Sequence, residues 1–233
     1  MLTELANPFG REGRADWATI QALPELFPEL EKLTLGFKTY LTEAETNDRT
    51  DLLGAIPTIP TPFLRLTDLT IDSLVASHSG RHFTTPDAGC ILRNLFAVIP
   101  NVRRLSITHG TGWAGSQAQQ RMGRKLNAHP GVDGALADLP AFLDRLVLRE
   151  FILEPTDFDT IVSLQSLRKL VLSCCGPNAL QIVKGLLADK ERCPHLKPAS
   201  CFVHRATGSG LQSLEDCVDP GPAVSAVAES GEE

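Results

Sequence analysis

The stretch Leu167-Arg168-Lys169-Leu170-Val171-Leu172 carries aliphatic side chains at intervals of three and then two residues. Residues 30–35, 66–71, 102–107 and 143–148 repeat this spacing. In every copy the last two aliphatic residues flank a Thr, Ser or Val, and such alternation is typical of a strand with one buried face. Each copy therefore predicts one short strand. We expect the central leucines to lie side by side in neighbouring parallel strands: Leu33, Leu69, Leu105, Leu146 and Leu170.

Segments with helical patterning separate the predicted strands, and each ends near a proline or a polar break. They cover residues 16–26, 86–99, 156–164 and 179–190. Thr156 and Asn178 are predicted to cap the third and the fourth of these helices. A degenerate sixth copy of the strand motif follows the last helix, with Leu196, Ala199 and Cys201 at the three aliphatic positions.

A strand and a helix that return to a parallel neighbouring strand bury little apolar surface alone, but a stack of such units forms a continuous core. The central leucines are 36, 36, 41 and 24 residues apart, so the connections vary while the strand motif does not. This order predicts an α/β solenoid with a parallel concave sheet and outer helices. Residues 1–15 are predicted as a lead-in, 16–205 as the repeat domain with a glycine-rich insertion at 109–138, and 206–233 as a disordered acidic tail.

The five copies resemble the leucine-rich-repeat family, and residues 167–175, ending in Cys175, are similar to its cysteine-containing class. The irregular spacing and the local forms of residues 27–33 and 99–105 resemble the repeat domains of fungal F-box-like proteins. This resemblance implies an irregular horseshoe of five or six repeats. It also implies a non-enzymatic protein-recognition module, the substrate-binding part of a ubiquitin ligase receptor of the F-box type. The F-box itself is not visible, because the strand at Leu30 begins too soon for its three helices.

The composition is that of a soluble globular chain. Of 233 residues, 42% are apolar and 21% are charged, and no stretch approaches the roughly 18 apolar residues of a membrane span. We expect no membrane association, and six cysteines without a secretory pattern favour reduced thiols in the cytoplasm or nucleus. Residues 206–233 hold six acids and no Lys or Arg, which leaves 22 of the 28 acids against 22 basic residues. A body without net charge is not expected to bind nucleic acid, and a monomer is expected.

A glycine-rich turn offers an alternative from a different class of function. Gly110, Gly112 and Gly115 form a GxGxxG after the strand at residues 104–108, and Asp133 follows about 20 residues on. This spacing is typical of a dinucleotide site, and it would make the chain an NAD(P)-dependent oxidoreductase. The preceding strand is amphipathic, whereas a dinucleotide fold places a wholly apolar strand there. We therefore interpret the segment as an insertion, predict no cofactor and no enzyme activity, and keep the oxidoreductase as the alternative.

Cysteine and histidine residues cluster near the C-terminal end of the predicted repeat domain. Six of them fall within 31 residues: Cys174, Cys175, Cys193, His195, Cys201 and His204. Thiolate and imidazole are the ligands that zinc prefers, but the paired spacing of a zinc knuckle is largely missing. We interpret Cys175 and Cys201 as buried strand positions that pack as small hydrophobes. His78, His82, His109 and His129 are interpreted as ordinary loop residues, so no catalytic or metal-binding residue is predicted.

The outward face of the predicted sheet is the candidate binding surface. The residue before each central leucine points to solvent, and four of these five residues are cationic. Asp72 and Arg149, which lie further along two of these strands on the same face, complete the predicted partner-binding set. The set is Lys32, Asp68, Asp72, Arg104, Arg145, Arg149 and Lys169. Like charges on neighbouring strands favour an acidic partner segment above them. The competing interpretation is a solvated face balanced by nearby acids, and the absence of aromatics from this stripe supports it. The acidic tail could also cover the face.

Overall fold

The structure is a computed structural model of the chain. It describes residues 2–6, 17–36, 61–73, 85–108, 135–149, 157–173 and 178–204, with the single residues 151, 153, 155 and 175. The predicted acidic tail at 206–233 and most of the glycine-rich insertion, residues 109–134, lie outside this part of the chain.

The described residues form one sheet of seven strands, all parallel and arranged in the order of the sequence. The strands are β1 (Glu4–Ala6), β2 (Lys32–Gly36), β3 (Asp68–Ser73), β4 (Arg104–Thr108), β5 (Arg145–Arg149), β6 (Lys169–Ser173) and β7 (Cys201–His204). The five strands predicted from the repeated motif are confirmed. β1 lies in the segment predicted only as a lead-in, because its three residues are too short to carry the full motif.

Helices connect the strands along one face of the sheet. They are α1 (Trp17–Leu26), α2 (Thr85–Val98), α3 (Asp157–Val162) and α4 (Ala179–Ala188), with 3-10 turns at Ala135–Asp138 and Pro198–Ser200. α1, α2, α3 and α4 precede β2, β4, β6 and β7, as the helical segments predict. None of the described helices has the length and apolar character needed to cross a bilayer.

The register of the sheet aligns the predicted central leucines. Leu33 pairs with Leu69, Leu69 with Leu105, Leu105 with Leu146, and Leu146 with Leu170. All five are 2% exposed or less. The aliphatic residue two positions further on is also buried in every strand, so one side of the sheet is a continuous apolar layer. The inference of neighbouring parallel strands with one shared interior is confirmed.

The chain enters each of the strands β2 to β6 through the same pattern of backbone hydrogen bonds. The carbonyl oxygen of Glu31 accepts the N–H groups of both Thr67 and Asp68, at 2.9 and 3.0 Å. Four other carbonyls accept two successive N–H groups from the next strand in the same way: those of Thr3, Thr67, Arg103 and Asp144. This ladder satisfies the backbone just before the strands and fixes the N-terminal edge of the sheet.

The core lies between the sheet and the helices. Buried side chains of the helices, such as Leu92, Leu95 and Val183, belong to one cluster with the inward residues of the strands. On the opposite face, the residues of β2 and β4 that alternate with the buried ones are exposed or partly buried. Among the described residues, the fold is therefore an α/β fold whose parallel sheet carries helices on one face, whereas most all-parallel sheets have helices on both.

Two local predictions near the C-terminal end of the repeats need correction. Asn178 is the N-cap residue of α4, as predicted, but its backbone angles are helical (φ −78°, ψ −15°) and its side chain makes no capping hydrogen bond. Its Nδ2 instead donates to the carbonyl of Leu153 at 3.1 Å. In the sixth copy, Cys201 rather than Ala199 pairs with Leu170. The 3-10 turn Pro198–Ser200 adds two residues between Leu196 and the strand, which shifts the register by two. Thr156, the other predicted cap, lies outside the described residues.

Candidate functional site

The solvent face of the sheet carries two full rows of side chains that run across the strands. The first row, from β1 to β6, is Glu4, Lys32, Asp68, Arg104, Arg145 and Lys169. The second row, from β1 to β7, is Ala6, Thr34, Thr70, Ser106, Val147, Val171 and Phe202. A third, shorter row begins at β4 with Thr108, Arg149 and Ser173. The predicted site residues therefore do lie on one face in adjacent strands.

In the half of the face formed by β1 to β4, the charges are paired within the sheet. Lys32 forms an ion pair with Glu4, and the hydrogen bond to that carboxylate raises the pKa of the Lys32 ammonium. Two nitrogens of the Arg104 guanidinium contact the Asp68 carboxylate, with Nη2 at 2.7 Å from Oδ2. This contact raises the pKa of the Arg104 guanidinium. The neighbouring second-row residues Thr34, Thr70 and Ser106 are short and polar. This half of the face matches the interpretation of a balanced, solvated surface.

In the half formed by β5 to β7, the cations are not balanced. Arg145 and Arg149 are exposed, and neither forms an ion pair with any described residue. Arg145 has Arg104 on one side and Lys169 on the other, in register. Neighbouring strands lie about 4.8 Å apart, so these three cationic side chains lie close together. Of the three, Arg104 forms an ion pair with Asp68.

An aromatic side chain completes this half of the face. The ring of Phe202 lies next to Val171 in the second row, and the Lys169 ammonium sits 5.3 Å from the ring centroid, within the range of a cation–π contact. Val147, Val171 and Phe202 thus form an apolar strip between Arg145 and Lys169 on one side and Arg149 on the other. We call these six residues the cationic patch. Val147 is only 3% exposed, so the partly buried Val171 and Phe202 supply the accessible apolar surface of this strip.

Sequence reasoning missed Phe202 because it misplaced the register of the sixth copy. With Ala199 as the central residue, Phe202 falls at the third outward position instead of in the second row, and the outward stripe of the five regular copies contains no aromatic. The two-residue insertion at Pro198–Ser200 moves Phe202 into the second row. The buried Cys201 and Val203 on either side of it are the signal that could have corrected the register.

The remaining predicted site residue, Asp72, does not join the patch. The pairing of β2 with β3 is irregular after Leu35, so Gly36 pairs with Ser73 rather than with Asp72. Asp72 is exposed on β3, two strands away from β5. Of the predicted set, the structure gathers Arg145, Arg149 and Lys169, places Lys32, Asp68 and Arg104 in ion pairs, and leaves Asp72 apart.

The cysteines that the structure describes are buried thiols. Cys175 donates from Sγ to the carbonyl of Leu148 at 3.2 Å, and Cys193 and Cys201 are 2% and 1% exposed. Burial raises the pKa of Cys193, and it raises that of Cys201 to about 11. His195 is exposed. Within the described ranges, no three His, Cys, Asp or Glu side chains come together as metal ligands; Cys174 and the side chain of His204 lie outside them.

Several residues that the sequence singles out fall outside the described part of the chain. They are the glycines of the alternative dinucleotide turn, Gly110, Gly112 and Gly115, and the histidines His78, His82, His109 and His129. The strand before that turn, β4, has exposed or half-buried residues between its buried ones, in agreement with the amphipathic pattern of its sequence.

No protein-family model matches this chain, and comparison with curated protein sequences finds no significant match.

Proposed function

We propose that this chain is a non-enzymatic protein-recognition module of the leucine-rich-repeat type, which binds an acidic segment of a partner protein on the cationic patch. The observation that carries the proposal is the division of the solvent face into a charge-balanced half and a cationic, apolar half. Three regular features support a repeat solenoid: sequential parallel strands, one buried face, and a hydrogen-bond ladder that recurs from strand to strand.

The chemistry of the patch favours a peptide with carboxylates. Arg145 and Arg149 lie at opposite ends of the same strand, with Val147 between them, so an extended segment crossing β5 meets a guanidinium on each side of an apolar strip. Guanidinium groups bind carboxylates in a bidentate manner, and aromatic and Arg side chains are the residues that most often dominate binding energy. A carboxylate above Arg145 also relieves its repulsion with Arg104 and Lys169.

The resemblance to fungal F-box-like proteins gives this module a place in a larger assembly. In that reading the acidic partner is the substrate of a ubiquitin ligase, and the chain is the substrate-binding part of the receptor.

Charge reversal on the patch tests the proposal. We expect the double variant Arg145→Glu/Arg149→Glu to recover partner proteins from cell extract at least tenfold less than the unmodified chain, and recovery by the unmodified chain to fall between about 50 and 300 mM salt, as screening predicts. The matched control is Lys184→Glu, an exposed cation on α4, on the helical side. Equal recovery by the double variant and the control, with unchanged thermal midpoints, would rule out this surface.

A further inference from the structure

A second concave surface crosses the N-terminal edge of the sheet, outside the cationic patch. It encloses about 560 Å³ and is lined by the segments that lead into β2, β3, β4 and β5. The lining residues on which its chemistry depends are Glu31, Leu64, Arg65, Asn101, Arg103 and Phe142. We call this surface the N-edge groove.

Two large apolar side chains stand exposed in the groove. Leu64 is 66% exposed and Phe142 is 65% exposed. They precede β3 and β5, so they flank the segment that leads into β4, at a spacing of about two strands or roughly 10 Å. Single exposed apolar residues are ordinary on a protein surface, whereas these two line the same groove together with charged residues, as apolar contacts at interaction sites often do.

The two arginines that line the groove differ in their ion pairing. Arg65 is taken by an ion pair with Glu29, whereas Arg103 pairs with no acid among the described residues. Arg103 belongs to the β4 segment, between the positions of Leu64 and Phe142. Glu31 lies at the β2 end. Among the described residues that line the groove, an arginine without a carboxylate partner therefore lies on the segment between those of the two apolar side chains, and the one acid, Glu31, lies at the β2 end.

The backbone beneath these side chains is held in place. The Asn101 amide donates from Nδ2 to the carbonyl of Leu64 at 2.8 Å. The N–H of Arg103 donates to the carbonyl of Thr67 at 2.9 Å, and the carbonyl of Arg103 accepts two N–H groups of the β5 segment. The backbone that carries the groove is therefore held in place without a ligand, which lowers the part of the entropic cost of binding that comes from ordering it.

From these contacts we infer that the N-edge groove binds a short extended segment of a partner protein, with one apolar side chain between Leu64 and Phe142 and one carboxylate on Arg103. The groove spans four strand segments, or three spacings of about 4.8 Å. About four or five residues of extended peptide, at roughly 3.3 Å each, cover that distance. This site is additional to the cationic patch and does not depend on it.

Peptide selection tests the inference directly. The probe is a phage-displayed library of ten-residue peptides with six randomised central positions, selected on the unmodified full chain. We expect enriched peptides to carry Leu, Phe or Trp within two positions of Asp or Glu. Synthetic versions, measured by fluorescence polarisation, should bind at least tenfold more weakly to Arg103→Glu and to Leu64→Ser/Phe142→Ser.

Controls separate this site from the patch and from unfolding. Leu26→Ser removes a leucine that is 67% exposed outside the groove, and it should leave peptide binding unchanged. Arg145→Glu/Arg149→Glu should also leave it unchanged, so failure of the proposed function and failure of this inference give different results. Because the replaced side chains are exposed, thermal midpoints should stay close to that of the unmodified chain. Selection that enriches no such pattern, or equal affinity for Arg103→Glu, would overturn the inference.

Discussion

At the scale of single residues, Cys201 has the most strongly perturbed environment of the described thiols. It occupies the register position at which the six other strands carry a leucine, and it is 1% exposed. Burial disfavours the thiolate and raises the pKa of Cys201 to about 11, although a hydrogen bond with Ser200 works in the opposite direction. The residue therefore packs as a small hydrophobe in the neutral form and is a poor nucleophile at neutral pH.

The raised pKa of Cys201 predicts a loss of stability in alkaline solution. In the unfolded chain a cysteine has a pKa of about 8.5, so the unfolded state loses this proton first as the pH rises. Between about pH 9 and 11 the folded state binds more protons than the unfolded state, and the free energy of unfolding must fall with pH. Urea unfolding under reducing conditions at pH 8 and pH 10.5 measures the fall.

The comparison variant is Cys201→Val, which keeps an apolar side chain and removes the titrating group. We expect the free energy of unfolding to decrease less between the two pH values in this variant than in the unmodified chain. An equal decrease in both proteins would mean that Cys201 does not titrate in this range, and the burial argument would be wrong for this thiol.

At the scale of elements, the contact between α3 and α4 depends on a glycine. A Cβ added at Gly185 would lie 2.9 Å from Cε2 of Phe158, closer than real Cβ contacts allow. Phe158 packs against the core, so its ring cannot move away without cost. Gly185 therefore lowers the helix propensity of α4, but its lack of a Cβ allows the two helices to approach closely.

This contact predicts a background-dependent effect of Gly185→Ala. Alanine favours a helix over glycine by about 1 kcal/mol, but overpacking costs about 1 to 3 kcal/mol. We expect Gly185→Ala to lower the free energy of unfolding in the unmodified chain. In a Phe158→Leu background, which lacks the ring atom, the same change should be neutral or stabilising. A double-mutant cycle in urea measures the coupling, and equal effects in both backgrounds would contradict the packing argument.

The elements also mark how far the sequence alone can predict this fold. The strand motif predicted β2 to β6 and their register, because inward leucines on adjacent strands obey a strict period of two. The helices followed from their apolar stripes. The role of Asn178 could not be predicted, since its partner is the carbonyl of Leu153, 25 residues earlier in the chain. Likewise, the sequence motif did not predict the two extra residues at Pro198–Ser200, which shift the register. The second-row position of Phe202, and with it the apolar strip of the cationic patch, was therefore missed.

At the scale of the whole molecule, the charge of the solvent face changes from one end of the sheet to the other. Ion pairs such as Lys32–Glu4 neutralise the β1 to β4 half, while Arg145 and Arg149 leave the other half cationic. Net charge conceals this division, because the 22 acids outside the tail equal the 22 basic residues in number. The composition therefore predicted the absence of a general field, but the local field required the pairing in the folded sheet.

The sequential order of the strands also sets how local damage spreads. Each strand makes its extensive strand contacts with its neighbours in sequence. Within the described residues, β4 has strands on both sides, whereas β7 has β6 alone. When units interact mainly with their neighbours, terminal units open by themselves and central units open only with the strands around them.

Matched truncations of buried residues test this coupling. Leu105 in β4 is 1% exposed and Val203 in β7 is 3% exposed. We expect Leu105→Ala to cost about 2 to 5 kcal/mol and to speed amide hydrogen exchange throughout β3, β4 and β5. We expect Val203→Ala to speed exchange in β6 and β7 and to leave β2 to β4 unchanged. Uniform acceleration across all strands in both variants would instead identify one fully cooperative unit, and the picture of neighbour-coupled repeats would then fail.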